Sequence, residues 1–181
     1  LLHPCQAMAD LFTLLEKKGS LAGLKLAYVG DGNNVAHSLM LAAAKAGMKM
    51  AVATPPGYEP KKEIIDWARE DGQGTDFELT ITHDPVEAVS EADAVYTDVW
   101  ASMGQEAEKE IRKKIFSPYQ VNRELFSKAK PDAYFMHCLP AHRGEEVTDE
   151  IIDSPNSIVY DQAENRLHVQ KVIMMNLMGK K

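Results

Sequence analysis

KLAYVGDGNNVAHSLMLAAAKAGMKMAVA, Lys25 to Ala53, is the stretch whose reading decides the fold. Lys25 to Gly30 is a short β-rich run. Val35, Leu39, Ala42 and Ala46 then recur on one helical face until Gly47, and Lys49 to Ala53 is β-rich again. Two strands joined through a helix lie parallel, and such crossovers are right-handed.

Further β-rich runs follow at Phe77 to Thr82, Ala94 to Asp98, Ala133 to His137 and Ser157 to Asp161, with helical periodicity in most of the intervals. Ahead of Lys25, Pro4 suits a first helical turn, and Met8, Leu11, Phe12 and Leu15 share a face until Gly19. Strands alternating with helices give an α/β class: a doubly wound, mostly parallel, Rossmann-like sheet with helices on both faces. The turn signals at Pro55-Pro56-Gly57, Gly72 to Gly74 and Ser117-Pro118 are too short for interdomain linkers, so residues 1–181 are read as one domain. The end helices, 6–18 and 162–178, stand apart. Leu167, Val169, Val172, Ile173, Met174, Met175, Leu177 and Met178 cover more than one face, which points to a second body besides the sheet, with a thick core as the plainer alternative.

An apolar content of 45% is ample for a core. With 20 basic against 27 acidic residues the net charge is −7 and no basic stripe exists, which disfavours nucleic acid and anionic membranes as partners. Two cysteines make no disulfide framework, and no segment reads as a signal peptide or membrane span, so a reducing cytoplasm is the expected compartment. The chain opens on Leu1-Leu2-His3 directly before a helix, as a piece of a longer protein would.

Chemistry gathers where strands end, because loops at the carboxyl edge of a parallel sheet line its ligand crevice. Gly30-Asp31-Gly32-Asn33-Asn34-Val35 departs from the dinucleotide fingerprint: Val35 replaces the third glycine, and Val52-Ala53-Thr54 lacks the acid for a ribose. No nicotinamide cofactor is expected. Asn33 or Asn34 is expected to cap the helix while the other amide faces the crevice; capping alone is the plainer reading. Asp98 ends a strand, where an unpaired carboxylate suits a substrate ammonium, against an Asx turn. Cys138 follows another strand in MHCLPAHRGEEVT, Met136 to Thr148; without a base dictated by sequence it is read as an inert thiol or as a polar contact beside a reacting amine. His3 at a helix start should stay neutral and donate to a carbonyl oxygen, and Gln6 lies near the same end. Arg166 can grip an anion, or else pair weakly with Glu164 or Asp161. Glu106 to Lys114, with Glu108 and Arg112 four apart, reads as a solvated helix face. The spacing of His3, Cys5, His137, Cys138 and His142 matches no zinc pattern, so no metal is expected.

The ordered set HPCQ (His3 to Gln6), GDGNN (Gly30 to Asn34), DVWASMG (Asp98 to Gly104), HCLP (His137 to Pro140) and ENRLH (Glu164 to His168) resembles the ornithine carbamoyltransferases, within the aspartate/ornithine carbamoyltransferase family, across essentially the whole chain. The resemblance implies carbamoyl transfer from carbamoyl phosphate to the δ-amine of L-ornithine, giving L-citrulline and phosphate with no cofactor. It implies that His3 and Gln6 contact the carbamoyl group, that Arg166 binds carbamoyl phosphate, and that Asn34, Asp98, Ser102 and Met103 hold the amino-acid end of ornithine. Cys138 and the backbone of Leu139 would lie where amine meets carbonyl, on both the catalytic and the carbamoyl-phosphate side. Catalytic roles thus fall to His3, Asp98, Cys138 and Arg166. The family's Ser-x-Arg-Thr-Arg phosphate loop is not in this sequence. The chain is therefore expected to be the ornithine-binding half, inactive without a preceding carbamoyl-phosphate domain to which helices 6–18 and 162–178 cross, and homotrimeric when full-length. The alternatives are a relative with another amine acceptor and a non-catalytic amino-acid-binding module.

Overall fold

The computed structural model describes residues 1–101 and 108–179. Its helices are α1 (Pro4–Lys18), α2 (Asn34–Ala46), α3 (Lys62–Asp71), α4 (Pro85–Val89), α5 (Lys109–Phe116), α6 (Arg123–Phe126), α7 (Asp149–Ile152) and α8 (Val159–Met178). Its strands are β1 (Lys25–Val29), β2 (Lys49–Ala53), β3 (Glu78–Thr82), β4 (Ala94–Thr97) and β5 (Tyr134–His137). All four pairings are parallel, in the order β3-β2-β1-β4-β5. Strand order therefore reverses between β1 and β4, and that switch point opens a crevice at their carboxyl ends.

Both sheet faces are buried, which parallel pairing requires and the alternation of side chains delivers. Leu26, Tyr28, Met50, Val52, Tyr96 and Met136 pack with α1, α2 and α3 on one face. Ala27, Val29, Ala51, Val95 and Phe135 pack with α4, α6 and α7 on the other. Gly19 (φ 78) and Gly47 (φ 65) close α1 and α2 in the left-handed conformation, as their positions in the sequence predict.

The run at Ser157 to Asp161 is not a strand. Ser157 makes one isolated bridge to Phe135, and Ile158 N donates to Phe135 O at 3.0 Å. The chain then turns into α8 at Val159, three residues before the expected start, because Ile158 and Val159 already enter opposite clusters and leave nothing to extend a ladder.

The end helices pack on each other through a polar seam. Asn165 donates to Thr13 Oγ1 at 3.0 Å and to Glu16 at 2.6 Å, Gln162 donates to Asp10 at 2.9 Å, and Lys17 pairs with Asp161 at 2.9 Å. The apolar side chains of α8 lie elsewhere: Leu167, Val172, Met174, Met175, Leu177 and Met178 are 53–81% exposed. Met8, Phe12 and Leu15 of α1 are exposed as well.

Candidate functional site

Three loops meet at the crevice because β1, β4 and β5 are neighbours. Asp98, just past β4 and 6% exposed, accepts from Asn33 Nδ2 at 2.7 Å, from Val99 N at 2.8 Å and from the Cys138 thiol at 3.0 Å. It is thus not the unpaired carboxylate expected. Neutral donors hold it in place, and none of them removes its charge.

Asn33 performs both tasks that the sequence divided between two amides. Its Oδ1 accepts from Val35 N at 2.9 Å and Ala36 N at 3.2 Å, capping α2, and from Tyr28 Oη at 3.3 Å, while its Nδ2 reaches Asp98. Asn34 is the first residue of α2 and lines an adjacent cavity of about 390 Å³ with Asp31, His37, Tyr58 and Lys61. Gly32 makes the tight wall between them: its N–H donates to Tyr58 O at 2.9 Å, and a Cβ there would lie 2.3 Å from Pro60 N. His37 bridges the same cavity, with Nε2 accepting from Lys61 N at 3.0 Å and Nδ1 facing Leu1 O at 2.9 Å, a pattern that fixes a neutral ring.

Burial, and then the Asp98 charge, push the Cys138 thiol far up, so it stays protonated and is a poor nucleophile. Leu139 follows with φ 54, an uncommon conformation for a non-glycine residue, and its N–H donates to His137 Nδ1 at 2.8 Å. That bond fixes the His137 proton on Nε2, which faces the equally buried Glu146 at 3.3 Å. Asp98, His137 and Cys138 lie close enough together for metal ligands, but each already serves a hydrogen bond.

His3 caps α1 with φ −133, and its backbone N–H donates to Ser38 Oγ at 2.6 Å. Burial and the nearby Arg166 charge hold its imidazole below the ordinary histidine range, with Asp98 opposing, so the ring is neutral as read from the sequence. Arg166 pairs with neither Asp161, which takes Lys17, nor Glu164, which faces His168. Its Nη1 donates to Gln6 Oε1 at 2.5 Å, and its buried Nε has no partner among the described residues, an orphan donor that an incoming acceptor could satisfy.

Arg112 overturns the solvated-face reading. Its side chain is buried, ion-paired with Asp31, donating through Nε to Trp100 O, and stacked on Tyr58 and Phe116 at 4.8 and 5.0 Å. Asp31 lies far away in sequence, which is why local charge spacing hid the pair. Lys109 and Lys113 do stay half exposed, both facing Glu145. Sequence reading also passed over Asp10, Tyr96 and Gln162, which join one another; position 10 lies opposite the face of Met8, Phe12 and Leu15, so it read as solvent-facing, while the structure buries Asp10 and exposes those three. Ser102 and Met103 lie outside the described residues.

Residues 22–177 match the family model described as aspartate/ornithine carbamoyltransferase, Asp/Orn binding domain. The ornithine carbamoyltransferase of Thermococcus kodakarensis is 64% identical over 98% of this chain and 56% of its own length. The solved ornithine carbamoyltransferase of Pyrococcus furiosus superposes with a TM-score of 0.96 at 60% identity, over 100% of this chain and 58% of that one. That of Gloeobacter violaceus gives 0.91 at 51% identity, covering 98% and 59%. The chain thus spans somewhat over half the length of the relatives it matches. With the family model matched over most of its length and the same sheet in both solved relatives, this chain belongs to the aspartate/ornithine carbamoyltransferase family, as its Asp/Orn binding domain.

Proposed function

We propose that the protein containing this chain transfers the carbamoyl group of carbamoyl phosphate to the δ-amine of L-ornithine, releasing L-citrulline and phosphate, and that this chain supplies the ornithine side. The observation that carries the reading is a pair of opposite charges set for two ligands: Asp98 anchored by Asn33 and Val99, and Arg166 with a buried Nε that has no partner among the described residues. An ammonium-binding anion and a phosphate-binding cation are what a two-substrate transfer needs.

Asp98, held by Asn33 and Val99, grips the α-ammonium of ornithine, with Asn34 at the cavity mouth beside it and Ser102 and Met103 completing the amino-acid contacts. His3 donates a hydrogen bond to the carbamoyl oxygen as negative charge builds there, and Arg166 stabilises the departing phosphate. The Cys138 thiol and the Leu139 backbone border the path of the δ-amine, and Gln6 contacts the carbamoyl group. Attack needs an unprotonated amine; the bond from its nitrogen to the carbonyl carbon forms, the bond from that carbon to the phosphate oxygen breaks, and the surplus proton of the nitrogen leaves with the phosphate. Orientation of the two substrates supplies much of the acceleration.

Arg166 alone is a weak cradle for a dianion, so the phosphate loop is assigned to a preceding domain. The exposed apolar faces of α1 and α8 are the surfaces that domain would cover, in a full-length homotrimer. Two free cysteines suit a reducing cytoplasm. Citrulline production by the chain mixed with a carbamoyl-phosphate domain, and little by the chain alone, is the expected assay result. Robust turnover by the isolated chain would contradict the division of labour.

A further inference from the structure

Asp10 sits one turn along α1 from Gln6 and is fully buried, and Gln6 is the one group assigned to a substrate that it touches among the described residues. Its Oδ1 accepts from Gln6 Nε2 at 2.7 Å and from Gln162 Nε2 at 2.9 Å, and its Oδ2 accepts from Tyr96 Oη at 3.0 Å. An ionised carboxylate offers only acceptors, so each glutamine must turn its NH2 group inward and its carbonyl oxygen away. The outward oxygens are both used. Gln6 Oε1 accepts from Arg166 Nη1 at 2.5 Å, and Gln162 Oε1 accepts from His137 N, next to Cys138, at 3.0 Å. A flipped amide at either place would set donor against donor.

We propose that Asp10 is a positioning residue for the carbamoyl-transfer site, fixing through two glutamine amides both the guanidinium of Arg166 and the strand end that carries Cys138. The inference rests on the function proposed above. One buried carboxylate reaches residues on α1, β4 and α8 and so sets the two sides of the site in register. Its failure mode is specific: an apolar side chain at position 10 leaves three buried donors without their acceptor, whereas an amide keeps the oxygen that takes both glutamines and offers its NH2 to the Tyr96 hydroxyl, which can accept. Arg166 is the more vulnerable side, because Gln6 is its one hydrogen-bond acceptor among the described residues.

The test uses the full-length enzyme. Asp10→Leu, shown to be folded by circular dichroism and thermal melting, should lower kcat about a hundredfold, the scale of a misplaced catalytic group. It should raise KM for carbamoyl phosphate about tenfold, the scale of one charge-assisted hydrogen bond, while KM for ornithine stays near wild type. Asp10→Asn keeps the oxygen that both glutamines use and should hold kcat within about tenfold of wild type. Wild-type kinetics in Asp10→Leu, equal losses for both substrates, or a loss in Asp10→Asn as deep as that in Asp10→Leu would overturn the proposal. Crystal structures give a readout independent of turnover: Arg166 should leave Gln6 in Asp10→Leu and keep it in Asp10→Asn. An unmoved Arg166 in Asp10→Leu overturns the inference even if the wild type makes no citrulline, whereas absent wild-type turnover alone strikes the functional reading.

Discussion

The Cys138 thiol donates its proton to Asp98 Oδ1 at 3.0 Å, so the two groups most suggestive of covalent chemistry spend it on each other. A thiol held this way resists ionisation, and its reactivity is the quantity to measure. Alkylation of Cys138 by iodoacetamide should be slower than that of a free cysteine at pH 8 and show no plateau below pH 9. Cys138→Ser keeps an O–H donor to Asp98 and should reduce activity only in part; complete loss in a folded variant would point to a nucleophilic thiol.

Asp98 and Arg166 are expected to separate by substrate. In the reconstituted enzyme, Asp98→Asn should weaken ornithine by about tenfold or more while leaving carbamoyl phosphate nearly unchanged, and Arg166→Ala should do the reverse. Steady-state kinetics with each substrate varied in turn decides it; equal losses for both substrates in either variant reject the assignment.

Asp10 gives stability a pH dependence of unusual sign for an acid. Burial lifts its carboxyl to about 6, against hydrogen bonds from Gln162, Gln6 and Tyr96 and the charge of Arg166. Between its ordinary value of 3.8 and about 6 the folded chain holds the extra proton, so this group's contribution falls as pH rises through that window. The full penalty, on the order of 3 kcal/mol, is present above it. Urea melts from pH 4 to 7 should show this decline in wild type and lose it in Asp10→Asn; parallel profiles would rule it out.

Asp31→Ala strands the buried Arg112 charge and should destabilise the fold by about 3 kcal/mol, more than the exposed ion pairs at Lys49 or Lys62. Because Arg112 also holds Trp100 O, ornithine affinity should fall beyond the stability loss. Denaturation midpoints set beside ornithine titrations measure both effects.

Gly32→Ala should cost about 2 kcal/mol, since the new methyl meets the backbone at Pro60 rather than a side chain able to move aside. A melting temperature equal to wild type would mean that the 58–60 segment yields freely.

Local periodicity carried most of the architecture. Four of the five strands were legible because they bury residues on both faces, the edge strand β3 by its β-branched Thr80, Ile81 and Thr82, and the crevice followed from topology. The run at Ser157 to Asp161 misled because Val159 and Tyr160 favour strands by type, while the structure buries Val159 and leaves Tyr160 exposed in the first turn of α8. At the site, His3, Asp98, Cys138 and Arg166 stood out by position at element ends. Asp10, Gln162 and the Asp31–Arg112 pair did not, since each looks like an ordinary surface residue until a partner from a distant segment folds over it. The cap on α2 was assigned to either of two adjacent amides, and only the carboxylate of Asp98 explains why Asn33 takes it.

The hydrogen-bonded seam between α1 and α8 has a mechanical consequence. Apolar helix surfaces slide past one another at small penalty, but a slip of one turn here would part Gln162 from Asp10 and Asn165 from Thr13 at once, stranding buried donors. The pair is therefore built as a single lever: torque applied to the outer end of α8 reaches His3 and Arg166 undivided, and any hinge must lie outside it.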